Sequence, residues 1–304
     1  MSPTPLRLVV AVNPSASFGR RSDVGSSVVS ALTRAGHDVT VLLEQSFDDL
    51  VVAARTQLAT SPDALIVVGG DGMMNLGTNL VAGTDVPLGL VPTGTGNDMA
   101  RALGIPHDDS DAATRLLVSQ LDRPARVIDA GRVSRGTDTT WFACMLSAGF
   151  DAVVNERANR MRRPRGRSRY NLALYLELIR LQHLSYRLEI DGESMQLDGT
   201  LVSVGNGRSF GGGITVLPDA ELDDGLLDVL VVERLGRLQF LRLFGQVARG
   251  THLADPRVHV HRARRVTIHS DDVAAYADGE RIGSLPVTVE VVPGALRVLA
   301  PAAV

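Results

Sequence analysis

Glycines gathered around one carboxylate are the first residues of this chain that could do chemistry. The apolar run Ala64-Leu65-Ile66-Val67-Val68 leads straight into Gly69-Gly70-Asp71-Gly72 and then Met73-Met74-Asn75. A glycine cluster between a buried strand and a helix lets backbone N–H groups close on an anion, with a helix N-terminus beside them. Taken alone, such a turn also reads as a tight loop that needs positive φ. An acid inside a phosphate cradle is repulsive, unless a metal ion lies between carboxylate and phosphate or the carboxylate handles a proton. A second turn, Pro92-Thr93-Gly94-Thr95-Gly96-Asn97-Asp98, offers hydroxyls, glycines and a helix start that Asn97 or Asp98 could cap. It lacks the third glycine of the dinucleotide fingerprint, because Met99 stands there, and no Gly-x-x-x-x-Gly-Lys-Ser/Thr element occurs. Asp278-Gly279-Glu280 and Asp224-Gly225, read by themselves, are turns with solvated acids.

The elements that must position these residues follow from periodicity. Leu6–Val12, Val39–Leu43, Ala64–Val68 and Pro87–Val91 read as strands, alternating with helices. The helices are predicted from an Asp23 cap to Ala35, over Phe47–Ala59 and through Leu76–Val81, with Gly36 and Gly83 as stops. This rhythm predicts a doubly wound parallel sheet, an α/β domain over residues 1–125. Its polar turns fall at the carboxyl ends of strands, where such sheets bind ligands. From residue 126 to 304 the rhythm changes. Strands are predicted at Arg126–Val133, Trp141–Leu146, Tyr186–Ile190, Leu197–Val204, Leu226–Val232, Arg265–His269, Val273–Tyr276, Val287–Val292 and Ala295–Leu299. Helices interrupt them at Tyr170–His183 and Leu238–Ala248. A mainly antiparallel second domain follows, with the last strands free to return to the first.

Composition narrows the function classes. The 304 residues are 44% hydrophobic and 21% charged, ordinary for a globular chain. A net charge of −3 and a pI near 6.2 speak against a nucleic-acid binder driven by overall charge. Cys144 is the only cysteine, so an internal disulfide and a cysteine zinc cluster are excluded. It lies in an apolar run and reads as core. No signal peptide and no apolar run of about 20 residues is evident, so the expected location is cytoplasmic, with membrane contact peripheral at most.

Taken together, the motifs resemble the diacylglycerol kinase catalytic-domain family, which includes bacterial lipid kinases, sphingosine kinases and ceramide kinases. Asn13-Pro14, Gly69-Gly70-Asp71-Gly72 and Pro92-Thr93-Gly94-Thr95-Gly96-Asn97-Asp98 stand in that family's order and spacing. So do Asn206-Gly207 with Gly211-Gly212-Gly213, Pro218-Asp219-Ala220 with Asp224-Gly225-Leu226-Leu227-Asp228, and Asp278-Gly279-Glu280. The resemblance implies a nucleotide-binding α/β domain joined to a β-sandwich lipid-substrate domain, with the active site in the cleft between them. It implies an ATP- and Mg²⁺-dependent kinase that phosphorylates the hydroxyl of diacylglycerol or a related long-chain lipid. By the same resemblance Asn13, Pro14, Ser15, Ala16, Ser17, Gly69, Gly70, Asp71, Gly72, Met73, Met74, Asn75 and Thr95 cradle ATP. Glu280 matches the proton acceptor of the bacterial enzymes, and Asp71 matches the aspartate given that role in sphingosine kinases. Glu221, Asp224 and Leu226 stand where the family has a structural Mg²⁺ site, Leu226 through its carbonyl.

Two positions depart from the family's Gly-Gly-Asp-Gly-Thr-x-Asn-Glu pattern. Met73 removes a hydroxyl that could reach phosphate, although ceramide-kinase-like members carry Met there, and Leu76 removes a carboxylate. After the second strand, Leu43-Glu44-Gln45 stands where a threonine is usual. These departures motivate a rival reading, a catalytically weak nucleotide- or lipid-binding regulatory protein. An NAD-kinase-like small-molecule kinase is a second rival, since it shares the glycine turn. The arginines from Arg157 through Arg160, Arg162, Arg163, Arg165 and Arg167 to Arg169 suggest contact with an anionic membrane surface. An exposed sheet edge in either domain could pair, which leaves a homodimer open.

Overall fold

The computed structural model describes residues 4–14, 22–161, 163–164, 167–181, 183–271 and 273–302. It divides into two compact units, one running to Ile128 and resuming at Gly294, the other spanning Asp129–Pro293.

In chain order, the first unit carries β1 (Arg7–Val12), α1 (Ser22–Arg34), β2 (Asp38–Leu42), α2 (Phe47–Leu58) and β3 (Ala64–Gly69). It continues with α3 (Asp71–Val81), β4 (Leu88–Pro92), α4 (Asp98–Ala102) and α5 (Ser110–Gln120). The strands pair in parallel in the order β2-β1-β3-β4. Every residue of β3 and β4 is buried, as expected of central parallel strands covered on both faces. The order reverses direction between β1 and β3, so the switch point of this sheet lies where Asn13 and Gly69 leave their strands.

β5 (Arg126–Arg135) begins in the first unit and continues into the second, which goes on with β6 (Asp138–Phe142), β7 (Met145–Gly149), α6 (Phe150–Arg160), α7 (Arg167–Ile179), β8 (Leu184–Ile190) and β9 (Glu193–Gly205). There follow β10 (Ser209–Phe210), β11 (Ile214–Thr215), β12 (Leu227–Glu233), α8 (Arg237–Val247), β13 (Val258–Ala263) and β14 (Arg265–His269). The last are β15 (Ala274–Ala277), β16 (Glu280–Ser284) and β17 (Val287–Val298). Pairing here is antiparallel, through β16-β15-β7-β9-β8-β14-β17, with β12 joining β9 to β13. Along β12, Val229 and Val231 enter one buried cluster while Leu230 and Val232 enter another, beneath α6, α7 and α8. The period-two alternation of a strand explains why this run is apolar throughout. The α/β and antiparallel halves predicted from the sequence are both present.

Several predicted elements differ. Trp141–Leu146 is not one strand but the end of β6 and the start of β7. Its apolar pattern is continuous, yet the amides of Ala143, Cys144 and Met145 turn aside to donate to Asp278. Conversely, the two strands predicted around Pro293-Gly294 are one, β17, in which Gly294 adopts φ +64°. Its end returns to the first unit, where Val298 pairs with Leu88. Helix α1 begins at Ser22, ahead of the Asp23 assigned as its cap. The helix predicted at Tyr170–His183 is shifted to Arg167–Ile179. Helices α5 and α6 and strands β10, β11, β13 and β16 have no counterpart in the elements predicted from the sequence. For α5 the signal was present, since Asp109 caps it by accepting from the amides of Asp111 and Ala112.

Candidate active site

Three loops meet at the switch point of the first unit. Asn13 leaves β1 with its amide donating to the Val68 carbonyl at 3.0 Å, and the Thr93 amide donates to the Gly69 carbonyl at 2.8 Å. The loops after β3 and β4 approach backbone to backbone, so that a Cβ on Gly70 would lie 2.9 Å from Gly94 Cα, and one on Gly94 2.5 Å from Gly70 Cα. Only glycine fits either position. A Cβ on Gly96 would meet the Asp71 carboxylate at 2.3 Å.

Asp71 explains that closeness. Its Oδ1 accepts from the Asp98 amide at 2.8 Å and its Oδ2 from the Asn97 amide at 2.9 Å. The carboxylate that caps α4 is therefore that of Asp71, from the start of α3, rather than that of Asp98 or the Asn97 side chain. Asn97 sits in the left-handed region at φ +55° and its side chain makes no cap bond. Instead its Oδ1 accepts from the Gly94 amide at 3.1 Å, and its Nδ2 donates to the carbonyls of Gly94 and His107 at 3.1 and 2.8 Å. Burial, and then repulsion from Asp98, push the Asp71 carboxyl above the usual carboxylate range against these amide bonds.

The remaining predicted nucleotide residues divide by exposure. Asn13, Pro14 and Gly70 in the loops, and Gly72 and Asn75 at the start of α3, are half-buried, and Thr95 is exposed. Met73 and Met74 are buried, Met73 against Gly69, and Leu76 is buried too. Both departures from the family pattern are thus core residues. Ser15, Ala16 and Ser17 lie outside the described residues.

In the second unit, Asp278 occupies the left-handed region at φ +47° and accepts from three amides, those of Ala143, Cys144 and Met145, at 2.8–3.1 Å. Two residues on, Glu280 opens β16 and is exposed. Sequence reasoning singled out Glu280 but missed its clamp, for which the Asp-Gly pair at a strand start was the available signal. Asn206 was similarly quoted without a role. It is buried, and its Nδ2 donates to the carbonyls of Asp129 and Ala143 at 2.9 and 3.2 Å.

Of the predicted structural-metal residues, Asp224 is already engaged within the chain. Asp224 Oδ1 accepts from the Leu226 amide at 2.9 Å, and Oδ2 is bonded to the Arg262 guanidinium. Arg262 also lies 3.8 Å from Asp228. Glu221 is exposed, and no group of three or more His, Cys, Asp or Glu among the described residues could hold a metal.

Beneath α7 and α8 lies an apolar cavity of about 90 Å³, lined by Leu174, Leu230, Val232, Phe240, Phe244 and Val247 among others. Its polar lining is Asp151, Ser203 and His252. Ser203 donates to Asp151 at 3.0 Å, and burial pushes that carboxyl upward.

Comparison with known proteins gives two family matches. Residues 7–130 match the diacylglycerol kinase catalytic domain, and residues 144–300 match the YegS C-terminal NAD kinase beta sandwich-like domain. A Mycobacterium tuberculosis protein named diacylglycerol kinase is 37% identical over 297 residues, covering 97% of this chain and 95% of the relative. A Bacillus subtilis diacylglycerol kinase is 29% identical, covering 86% and 85%. The solved structure of a putative diacylglycerol kinase from Bacillus anthracis shares the fold, with a TM-score of 0.78 at 22% identity and 97% of both chains covered.

Proposed function

We propose a reaction from one premise: this chain belongs to the diacylglycerol kinase catalytic-domain family. Its relatives and its catalytic domain support a lipid kinase. The reaction is transfer of the γ-phosphoryl group of ATP to the free hydroxyl of diacylglycerol or a related long-chain lipid.

The observation that carries this reading is the close approach of Gly70 and Gly94, which leaves room for backbone but no side chain at the switch point. Phosphoryl transfer asks a protein mainly for positioning and charge stabilisation. Asn13 and Pro14 after β1 and free amides of the loops after β3 and β4 hold the nucleotide phosphates, and the family resemblance adds Ser15, Ala16 and Ser17 to this set. Thr95 adds an exposed hydroxyl, while Met73 and Met74 contribute backbone only. Mg²⁺ bound with ATP would supply charge neutralisation on the transferring oxygens. Asp71 is a positioning residue, because its carboxylate already holds the Gly94–Asp98 loop. Glu280 takes the proton of the lipid hydroxyl as that oxygen bonds to the γ-phosphorus and ADP leaves. The cavity beneath α7 and α8 receives acyl chain, and contact with an anionic membrane surface accompanies such a substrate.

The regulatory reading rests on Met73 and Leu76, buried side chains that put no hydroxyl and no carboxylate at those two positions. The test is transfer from γ-labelled ATP over a panel of diacylglycerol, ceramide, sphingosine and NAD, with product identification. Phosphatidic acid is the expected product. Nucleotide binding with no product would favour the regulatory protein, and labelled NAD the small-molecule kinase.

A further inference from the structure

Large apolar side chains left exposed concentrate on two helices of the second unit. On α8, Leu238 is 83% exposed, Leu241 49% and Phe244 42%; on α7, Leu172 is 40%, Tyr175 62% and Ile179 65%. Steps of three and four residues place each set along one face of its helix. The inner faces are already committed, since Ala173, Leu178, Phe240 and Leu243 share one buried cluster. Soluble chains rarely leave such groups together without a partner.

Charge says which partner. From Arg234 to Arg249 the chain holds four arginines and no acid, in the run RLGRLQFLRLFGQVAR. Arg234, Arg237, Arg242 and Arg249 are all exposed. The arginine run that the sequence pointed to is less available, because Arg157 pairs with Glu177 and Arg160 with Glu156. Arg162 and Arg165 lie outside the described residues.

We propose that the outer face of α8, continued by that of α7, seats the protein on an anionic bilayer. Leu238, Leu241 and Phe244 enter the acyl boundary while the four arginines meet lipid phosphates. The choice of a bilayer over a protein partner rests on the lipid-kinase reading. It gains weight from the cavity, whose lining includes Leu174 of α7 and Phe244 of α8. A lipid leaving the bilayer under these helices reaches apolar surface without crossing water.

The test is co-sedimentation of the full chain with vesicles of phosphatidylcholine alone or with about one-third phosphatidylglycerol, at low and high salt. Wild type should bind the anionic vesicles, and less so at high salt. Leu238→Ser with Leu241→Ser should weaken binding at least ten-fold, and Arg237→Gln with Arg242→Gln should abolish the preference for phosphatidylglycerol. Both variants should keep the wild-type melting profile and wild-type transfer to dispersed dioctanoylglycerol. Undiminished binding by the leucine variant overturns the proposal, as does a wild type that ignores vesicles. So does a dimer, seen by light scattering, that the leucine variant dissolves, for the face would then join two copies. If wild type transfers nothing to dioctanoylglycerol yet shows this binding pattern, the kinase reading fails and the docking surface stands.

Discussion

Asp71 and Asp278 each open an Asp-Gly step just past the end of a strand, β3 and β15, and both spend their carboxylates on backbone amides. Asp71 holds two amides of a single loop, those of Asn97 and Asp98. Asp278 holds three consecutive amides between β6 and β7. What differs is the residue that follows each turn. Beyond Asp71 come Gly72 and the buried Met73, whereas beyond Asp278 comes the exposed Glu280. An acid inside a motif is therefore not by that fact the acid that does chemistry. In these two turns the aspartates shape the backbone, and only the second presents a carboxylate not spent on an amide.

The largest effect should come from that carboxylate. Glu280→Gln is expected to lower transfer about 10²–10⁴-fold, the usual range for losing a general base, with ATP binding by calorimetry unchanged. Retention of more than a tenth of wild-type turnover would return the role to Asp71. The next largest effect is on stability. Asp278→Ala strands three amides, each costing about 1–3 kcal/mol where water cannot replace the acceptor. A loss of about 3 kcal/mol in urea unfolding is expected. Asp71→Ala removes a helix cap of the kind worth about 0.5–2 kcal/mol, so its loss should be the smaller. The reverse order would break the comparison.

How far all this was legible depends on range. The parallel half was readable because strands covered on both faces, such as Ala64–Gly69, must be apolar without interruption. The glycine loops were readable because a backbone-to-backbone approach leaves glycine no substitute. The break between β6 and β7 was not readable, since the apolar run Trp141–Leu146 is interrupted by a side chain 135 positions from Ala143. The same limit hid Arg262 beside Asp224 and Asp71 beneath α4, both contacts between residues distant in sequence. A motif places a residue type at a turn, but says nothing of which partner has already claimed it.

The smallest effect tests why Asp71 differs from an ordinary amide-bound carboxylate. Its amide bonds favour the anion, yet burial and Asp98 together outweigh them and raise its pKa above the usual 3.8. Below about pH 3.8 both folded and unfolded chains carry the proton, and this group leaves stability unchanged. Between 3.8 and the raised folded value the unfolded chain has released the proton while the folded chain keeps it. The folded state then binds more protons, so stability falls as pH rises through that window and levels off above it. Asp71→Asn removes the titration, so the stability of wild type relative to this variant should decline from pH 4 towards neutrality. Asp98→Asn should narrow the window, because it removes the second cause of the shift. Glu290 supplies the opposite sign as an internal control. Arg132 and Arg265 hold its carboxyl below the usual range, so its contribution is lost as pH falls, and Glu290→Gln should flatten the acid limb. If wild type instead gains on Asp71→Asn as pH rises, the amides of Asn97 and Asp98 win over burial. Asp71 would then be a stabilised anion at neutral pH, available to attract the cation that accompanies ATP.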